Sequence, residues 1–228
     1  MNIMQNNRII SQARLNFDKM LLSDIPGQNW DCDHIPDIGN GFQDTGHSVS
    51  TRCVCYSSTE RPMIRTSLAD EIKRGDYIYI SEKGGGTFYL LDDEPQKMPD
   101  CFKAFPSRCN AYITVKQTVN PEIDEAGFAV GDADQPRDVT IVRRLPAVTH
   151  HAQEIANARN TAGLTIADTL QVTMQLNDYT KEIKPEQWFE LDKNRYTIMD
   201  AVTDEAADVS GTITLFCRRE VGTYRDSL

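Results

Sequence analysis

Few residues in this 228-residue chain have side chains that could bind a metal or attack a substrate, and their spacing suits neither task. Asp31-Cys32-Asp33-His34, with Asp37 close behind, brings oxygen, sulfur and nitrogen donors together. Yet the Cys-x-x-Cys and His-x-x-x-His spacings that wrap a tetrahedral zinc are missing, and a calcium loop needs alternating oxygen ligands with glycine at its sharp turn. Asp132, Asp134 and Asp138 start like a calcium loop, but no glycine follows in register and no glutamate closes it. Cys53 and Cys55 sit two apart in a strand-like stretch, so both thiols share one face, and a core face is the ordinary place for cysteine. Gly84-Gly85-Gly86 is followed by a strand-like run instead of Gly-Lys-Ser/Thr and a helix, which makes it a hairpin tip and not a phosphate cradle. His150 and His151 have no nucleophile elbow nearby and no aspartate placed to orient them. The expectation is a chain with no catalytic set, no cofactor and no metal.

Composition points the same way. The hydrophobic fraction of 39% suits a folded chain, and 34 acidic against 24 basic side chains give a formal charge of −10. A general surface of that sign does not grip phosphate, although it would let nucleic acid slide past without sticking. Residues 1–22 lack the apolar core of a signal peptide and no apolar run approaches a membrane span, so a cytosolic origin and free thiols at all six cysteines are expected.

The elements that must position these residues are mostly strands. Ile3, Ile10 and Phe17 recur every seven residues with Ala13 and Met20 on the same side, which predicts an amphipathic helix over 3–22 ended by Pro26-Gly27. Such a helix either packs on its own barrel or forms an arm that docks on a neighbour, and Ile3, Ile10 and Phe17 are the candidate contacts. From Asp24 to Thr51 there is no Lys or Arg while Asp31, Asp33 and Asp37 accumulate among Gly, Pro and Asn, and this composition reads as a long acidic loop. A second acidic loop, 121–137, carries Glu122, Asp124 and Glu125. Alternation predicts strands at 48–56, 61–67, 76–80, 88–92, 111–118, 139–144, 169–176, 187–191, 195–202 and 211–218, with a short helix over 150–158. Short strands at this spacing make antiparallel barrels or sandwiches. The expected organisation is mainly β: an N-terminal helical arm at 1–23, a first β module with long acidic loops at 24–146, and a second β module at 147–228.

One half echoes the other. Glu71-Ile72-Lys73 leads through Asp76-Tyr77-Ile78 to Phe88-Tyr89-Leu90-Leu91-Asp92, and Glu182-Ile183-Lys184 leads through Trp188-Phe189 to Arg195-Tyr196-Thr197-Ile198-Met199-Asp200. Glu182 lies 111 residues after Glu71 and Tyr196 lies 107 after Tyr89, the spacing of a β module copied once.

Arg65-Thr66-Ser67, Ile72-Lys73-Arg74-Gly75-Asp76-Tyr77-Ile78 and Thr87-Phe88-Tyr89-Leu90-Leu91-Asp92 together resemble the β-barrel of tailed-bacteriophage neck proteins of the head-closure or head–tail adaptor type. In the second half Pro185-Glu186-Gln187-Trp188 stands where that pattern has Gly-Asp. The resemblance implies a non-enzymatic virion protein, assembled in the host cytoplasm as a six- or twelvefold homo-oligomeric ring between portal and tail proteins. DNA would pass through it without sequence-specific binding. Asp31, Asp33, Asp37, Glu122, Asp124 and Glu125 are then the candidate channel-facing residues. A tail-terminator, tail-tube or baseplate barrel is the alternative within that class. A small-ligand binding module, or a hydrolase using His150 or His151 with a cysteine, are the alternatives outside it.

Overall fold

The computed structural model describes residues 3–22, 29–41, 48–56, 62–82, 85–121, 135–151, 169–205 and 211–220. It is mainly β, with one helix, one curled sheet and one closed barrel. The helix α1 (Ile3–Leu22) contains no Gly or Pro and turns Phe17 and Leu21 onto Val54 and Cys101 of the sheet, with Met20 and Met98 at the margin. Two polar ties fix its C-terminal half: Arg52 donates to the Leu21 carbonyl at 3.1 Å, and Ser67 donates to Asp18 at 3.2 Å.

The first module is built from β1 (Asn29–Ile35), β2 (Val49–Tyr56), β3 (Met63–Thr66), β4 (Tyr77–Glu82), β5 (Gly85–Leu90), β6 (Gln96–Lys97), β7 (Phe102–Ala104) and β8 (Ser107–Arg108). Its antiparallel order is β6-β7-β3-β2-β1-β4-β5-β8. β7 pairs with β3 and β8 pairs with β5, so the one stretch 102–108 bridges from one side of the curled sheet to the other. The second module holds β9 (Ala111–Val119), β10 (Arg137–His151), β11 (Thr169–Gln175), β12 (Trp188–Leu191), β13 (Asn194–Glu205) and β14 (Gly211–Arg219), closed in the order β10-β11-β14-β13-β12-β9. Both modules therefore run third-second-first-fourth-fifth-sixth strand, with the sixth returning to the third. In the first module that sixth strand is broken into β7 and β8 at Phe105-Pro106, where proline cannot donate to a ladder.

Three expectations change. The stretch 24–51 is not one loop, because β1 crosses it and pairs with both β2 and β4. Asp31 and Asp33 alternate with the buried Cys32 and His34, so the aspartates mark the solvent face of a strand. The change of module falls at 109–110, and a boundary at 147 would cut through β10, whose Ala147 pairs with Ala111. His150 and His151 end β10, opposite Gln171 and Leu170, and do not open a helix; residues 152–158 lie outside the described residues.

One continuous core passes between the modules: Ile35, Ile38, Tyr77, Phe88 and Leu90 from the first pack with Val142, Leu145, Met174, Ile213 and Leu215 from the second. Each such side chain, fully buried, contributes roughly 1.5–3 kcal/mol, enough for a handful of contacts to hold the modules rigidly together. A second cluster, including Cys53, Cys55, Ile64 and Ile78, fills the first module alone.

Candidate functional site

The densest arrangement of buried polar groups lies at the joint between the modules, on the turn Lys73–Asp76 that leads into β4. Asp76 is buried at 2% exposure and its carboxylate accepts from the Lys73 N–H at 2.8 Å, stapling the turn shut. The same oxygen sits 2.7 Å from His34 Nε2, and that imidazole is also buried. Gly75 takes φ +91°, and its N–H donates to the Leu91 carbonyl at 2.7 Å. A Cβ added there would fall 2.1 Å from the Gly211 carbonyl oxygen, so the close approach of the two modules requires glycine.

Across the joint Gln175 at the end of β11 satisfies three backbone groups of the first module. Its Nε2 donates to the Pro36 and Gly75 carbonyls, each at 2.9 Å, and its Oε1 accepts from the Ile38 N–H at 2.8 Å. The Tyr77 hydroxyl donates to the Pro146 carbonyl at 2.6 Å and accepts from the Gln175 N–H at 3.1 Å. Burial pushes the Tyr77 phenol well above its usual range, and Cys109 alongside adds to the shift. Arg74 donates to the Asp92 carbonyl at 2.9 Å and to Asp204 at 2.6 Å, tying the turn to β13. Asn177 donates to the Gly39 carbonyl at 2.9 Å. A cavity of about 340 Å³ opens beside the joint, lined by groups of both signs that include Asp37, Lys73, Asp178 and Lys181. Asp37 uses its Oδ1 on the Gly39 N–H, and Lys181 stands 3.9 Å from Asp178. The His34–Asp76 pair and the Lys73 N–H bound to it thus position the backbone of the turn.

The second module repeats this turn at Lys184–Gln187. Gln187 accepts from the Lys184 N–H at 3.1 Å, as Asp76 accepts from Lys73. Glu186 donates to the Ile198 carbonyl at 2.9 Å, as Gly75 donates to Leu91, and Ile198 returns a bond to Gln187 as Leu91 does to Asp76. Glu186 even shares the left-handed conformation, at φ +72°. The differences lie in the contacts across the joint. Glu186 and Pro185 stand where Gly75 and Arg74 make the joint, and both are exposed, whereas Gln187 is buried.

Of the candidates named from the sequence, Asp31 pairs with Arg52 at 3.0 Å and Asp33 accepts from Ser50 at 2.8 Å, both on β1. Asp37 lies in the turn after β1, at the joint. Glu122, Asp124 and Glu125 lie outside the described residues. Phe17 is buried against its own module at 4% exposure, which removes it from the interface arm, while Ile10 is 42% exposed; the side chain of Ile3 is outside the described residues. None of the six cysteines forms a disulfide. Cys53 is raised well above the ordinary thiol range by its hydrogen bond to Cys32 and by burial, and burial alone pushes Cys217 up to about 12, so both stay as neutral packing groups. No group of three or more His, Cys, Asp or Glu among the described residues could hold a metal ion. Sequence reasoning missed Gln175, Asn177 and Arg74 as joint residues; the only signal was the Gly75-Asp76-Tyr77 run that carries the resemblance.

No family model matches the chain, and no curated protein matches it. Among solved structures it is similar to MrkH, described as a c-di-GMP-dependent transcription regulatory factor, at 8% identity over 92% of this chain and 83% of that one, with a TM-score of 0.22. It is likewise similar to the K. pneumonia MrkH–c-di-GMP complex at 7% identity over 92% and 85% of the two chains, with a TM-score of 0.20. Scores this low leave the strand order, the joint and the helix face as the grounds for any functional reading.

Proposed function

We propose that the chain is a structural ring subunit of a tailed-phage neck, meeting portal and tail proteins and surrounding passing DNA. The observation that carries the reading is where the resemblance falls. Gly75-Asp76-Tyr77-Ile78, the most specific of the resembling runs, forms the turn and strand that lock the curled sheet to the closed barrel. A two-module β body with a shared core suits a part that bears load and aligns neighbours. The helix adds a docking element: Ile9, Ile10 and Leu15 are 55%, 42% and 48% exposed, and Ile10 continues the stripe that Phe17 and Leu21 bury. In this reading the arm is the N-terminal half of α1 alone.

The part given to acidic loops is narrower than the sequence implied. Asp31 and Asp33 are held on a strand and cannot swing into a channel as a plug, and Asp31 is offset by Arg52. Sedimentation velocity of the full chain, alone and with portal-bearing phage heads, tests the reading. Ring-sized species or head-bound chain support it, and Ile9→Ser with Ile10→Ser abolishes them while leaving thermal unfolding unchanged. A chain that stays monomeric and ignores heads and tails defeats it.

A further inference from the structure

The outer face of β9 carries a feature that the acidic composition hides. Tyr112, Thr114, Lys116 and Thr118 alternate outward from the buried Ala111, Ile113 and Val115. Beside them β10 bulges. Val142 pairs with Val115 and Leu145 with Ile113, so Arg143 and Arg144 together oppose the single residue Thr114. In a regular strand one of two consecutive residues would point into the barrel between the fully buried Val142 and Leu145; the bulge keeps both arginines outside.

This bulge is built rather than incidental. Arg144 takes φ +41°, a conformation that a side-chain-bearing residue keeps only where its surroundings impose it. Thr114 Oγ1 accepts from the Arg144 N–H at 3.1 Å, and Asn40 Oδ1, reaching from the first module, accepts from the Arg143 N–H at 3.2 Å. Gly41 backs the Arg143 carbonyl so closely that a Cβ would lie 2.1 Å from its oxygen. The guanidinium of Arg144 stands 5.5 Å above the Tyr112 ring, and that tyrosine is 47% exposed. Further along the same face the Lys116 ammonium lies 4.9 Å from the centre of the Trp188 ring, which Arg195 covers from 3.9 Å. Two acids of this face are already engaged, Asp138 accepting from Thr118 and Glu220 pairing with Arg195 at 3.2 Å, while Glu190 faces Arg195 only in backbone register. No carboxylate among the described residues pairs with Arg143, Arg144 or Lys116.

We propose that this face binds single-stranded nucleic acid through its backbone, with Arg143, Arg144 and Lys116 on phosphates and Tyr112 against a base. Cations interleaved with an exposed aromatic ring are the elements of sequence-tolerant single-strand binding. The net charge of −10 works against the contact only within a screening length of about 8 Å at physiological salt, so a local basic strip can hold phosphate on an acidic chain. The proposal goes beyond the neck reading and does not depend on it, since it concerns the isolated chain.

The test is fluorescence anisotropy of a labelled mixed-sequence oligonucleotide titrated with the full chain at several salt concentrations. Three phosphate contacts give a log–log salt slope of about −2, a loss of roughly 20-fold between 50 and 200 mM salt. Arg143→Gln combined with Arg144→Gly brings the slope to about −0.7, and because glycine accepts φ +41° the barrel keeps its melting temperature. Tyr112→Ala weakens binding about tenfold with the slope unchanged. Absence of binding at low salt overturns the proposal, as does a slope that the arginine variant leaves alone. Displacement by poly-glutamate as effective as by unlabelled oligonucleotide overturns it in favour of an acidic protein partner, and a duplex bound more tightly than the single strand removes the role of Tyr112.

Discussion

At the scale of single residues, the joint rests on groups whose loss has a definite cost. Gly75→Ala places a methyl against the Gly211 carbonyl at a left-handed φ, and a loss of about 2–4 kcal/mol is expected in denaturant unfolding. The same kind of position in the copied turn responds oppositely. Glu186→Gly relieves a left-handed side-chain residue at an exposed position, so stability stays within about 1 kcal/mol of the parent or rises. Gln175→Leu leaves the buried Ile38 N–H and Gly75 carbonyl without this partner and releases the half-buried Pro36 carbonyl, which costs about 2–4 kcal/mol by the same measurement. By contrast Asp31→Ala breaks only an exposed ion pair and shifts stability by about 0.5 kcal/mol or less.

At the scale of elements, the helix divides into a docked half and a free half. Phe17→Ala empties a buried site over Val54 and Cys101 and lowers stability by about 3 kcal/mol, whereas Ile10→Ser leaves thermal unfolding unchanged and acts on assembly alone. The strands were legible wherever alternation was clean. β9 shows Ile113 and Val115 inward against Tyr112 and Lys116 outward, and the sequence carries that pattern openly. β1 was misread because its outward residues are Asp31 and Asp33 and its inward ones are Cys32 and His34, so hydropathy alone gives no contrast. The end of β10 was misread because His150 and His151 look like turn residues, although pairing with β11 decides the matter. The echo between 71–92 and 182–200 was legible as sequence and reappears as the same turn hydrogen bonds. What the echo did not disclose is its asymmetry. Only one turn carries the glycine and arginine of the joint, and only tertiary contact with Gly211 and Asp204 gives those residues their meaning.

At the scale of the whole molecule, a curled sheet and a closed barrel with one strand order share a core and a polar joint. Its pH response follows from the groups buried in it. Cys217, raised to about 12, and Tyr77, raised by full burial, bind their protons more tightly folded than unfolded. The Cys217 contribution is therefore complete below the unfolded thiol value of 9.0 and is lost as pH climbs toward 12, and Tyr77 adds to the loss at alkaline pH above its ordinary value of 10.0, so the melting temperature falls there. Cys217→Ala shallows the fall if burial of the thiol is its cause. Electron microscopy of the purified full chain, alone and mixed with portal-bearing phage heads, decides whether this body is a ring subunit. Closed rings of six or twelve copies, free or seated on the portal, are expected; a 25.7 kDa monomer at every concentration, with heads left bare, rules the ring out.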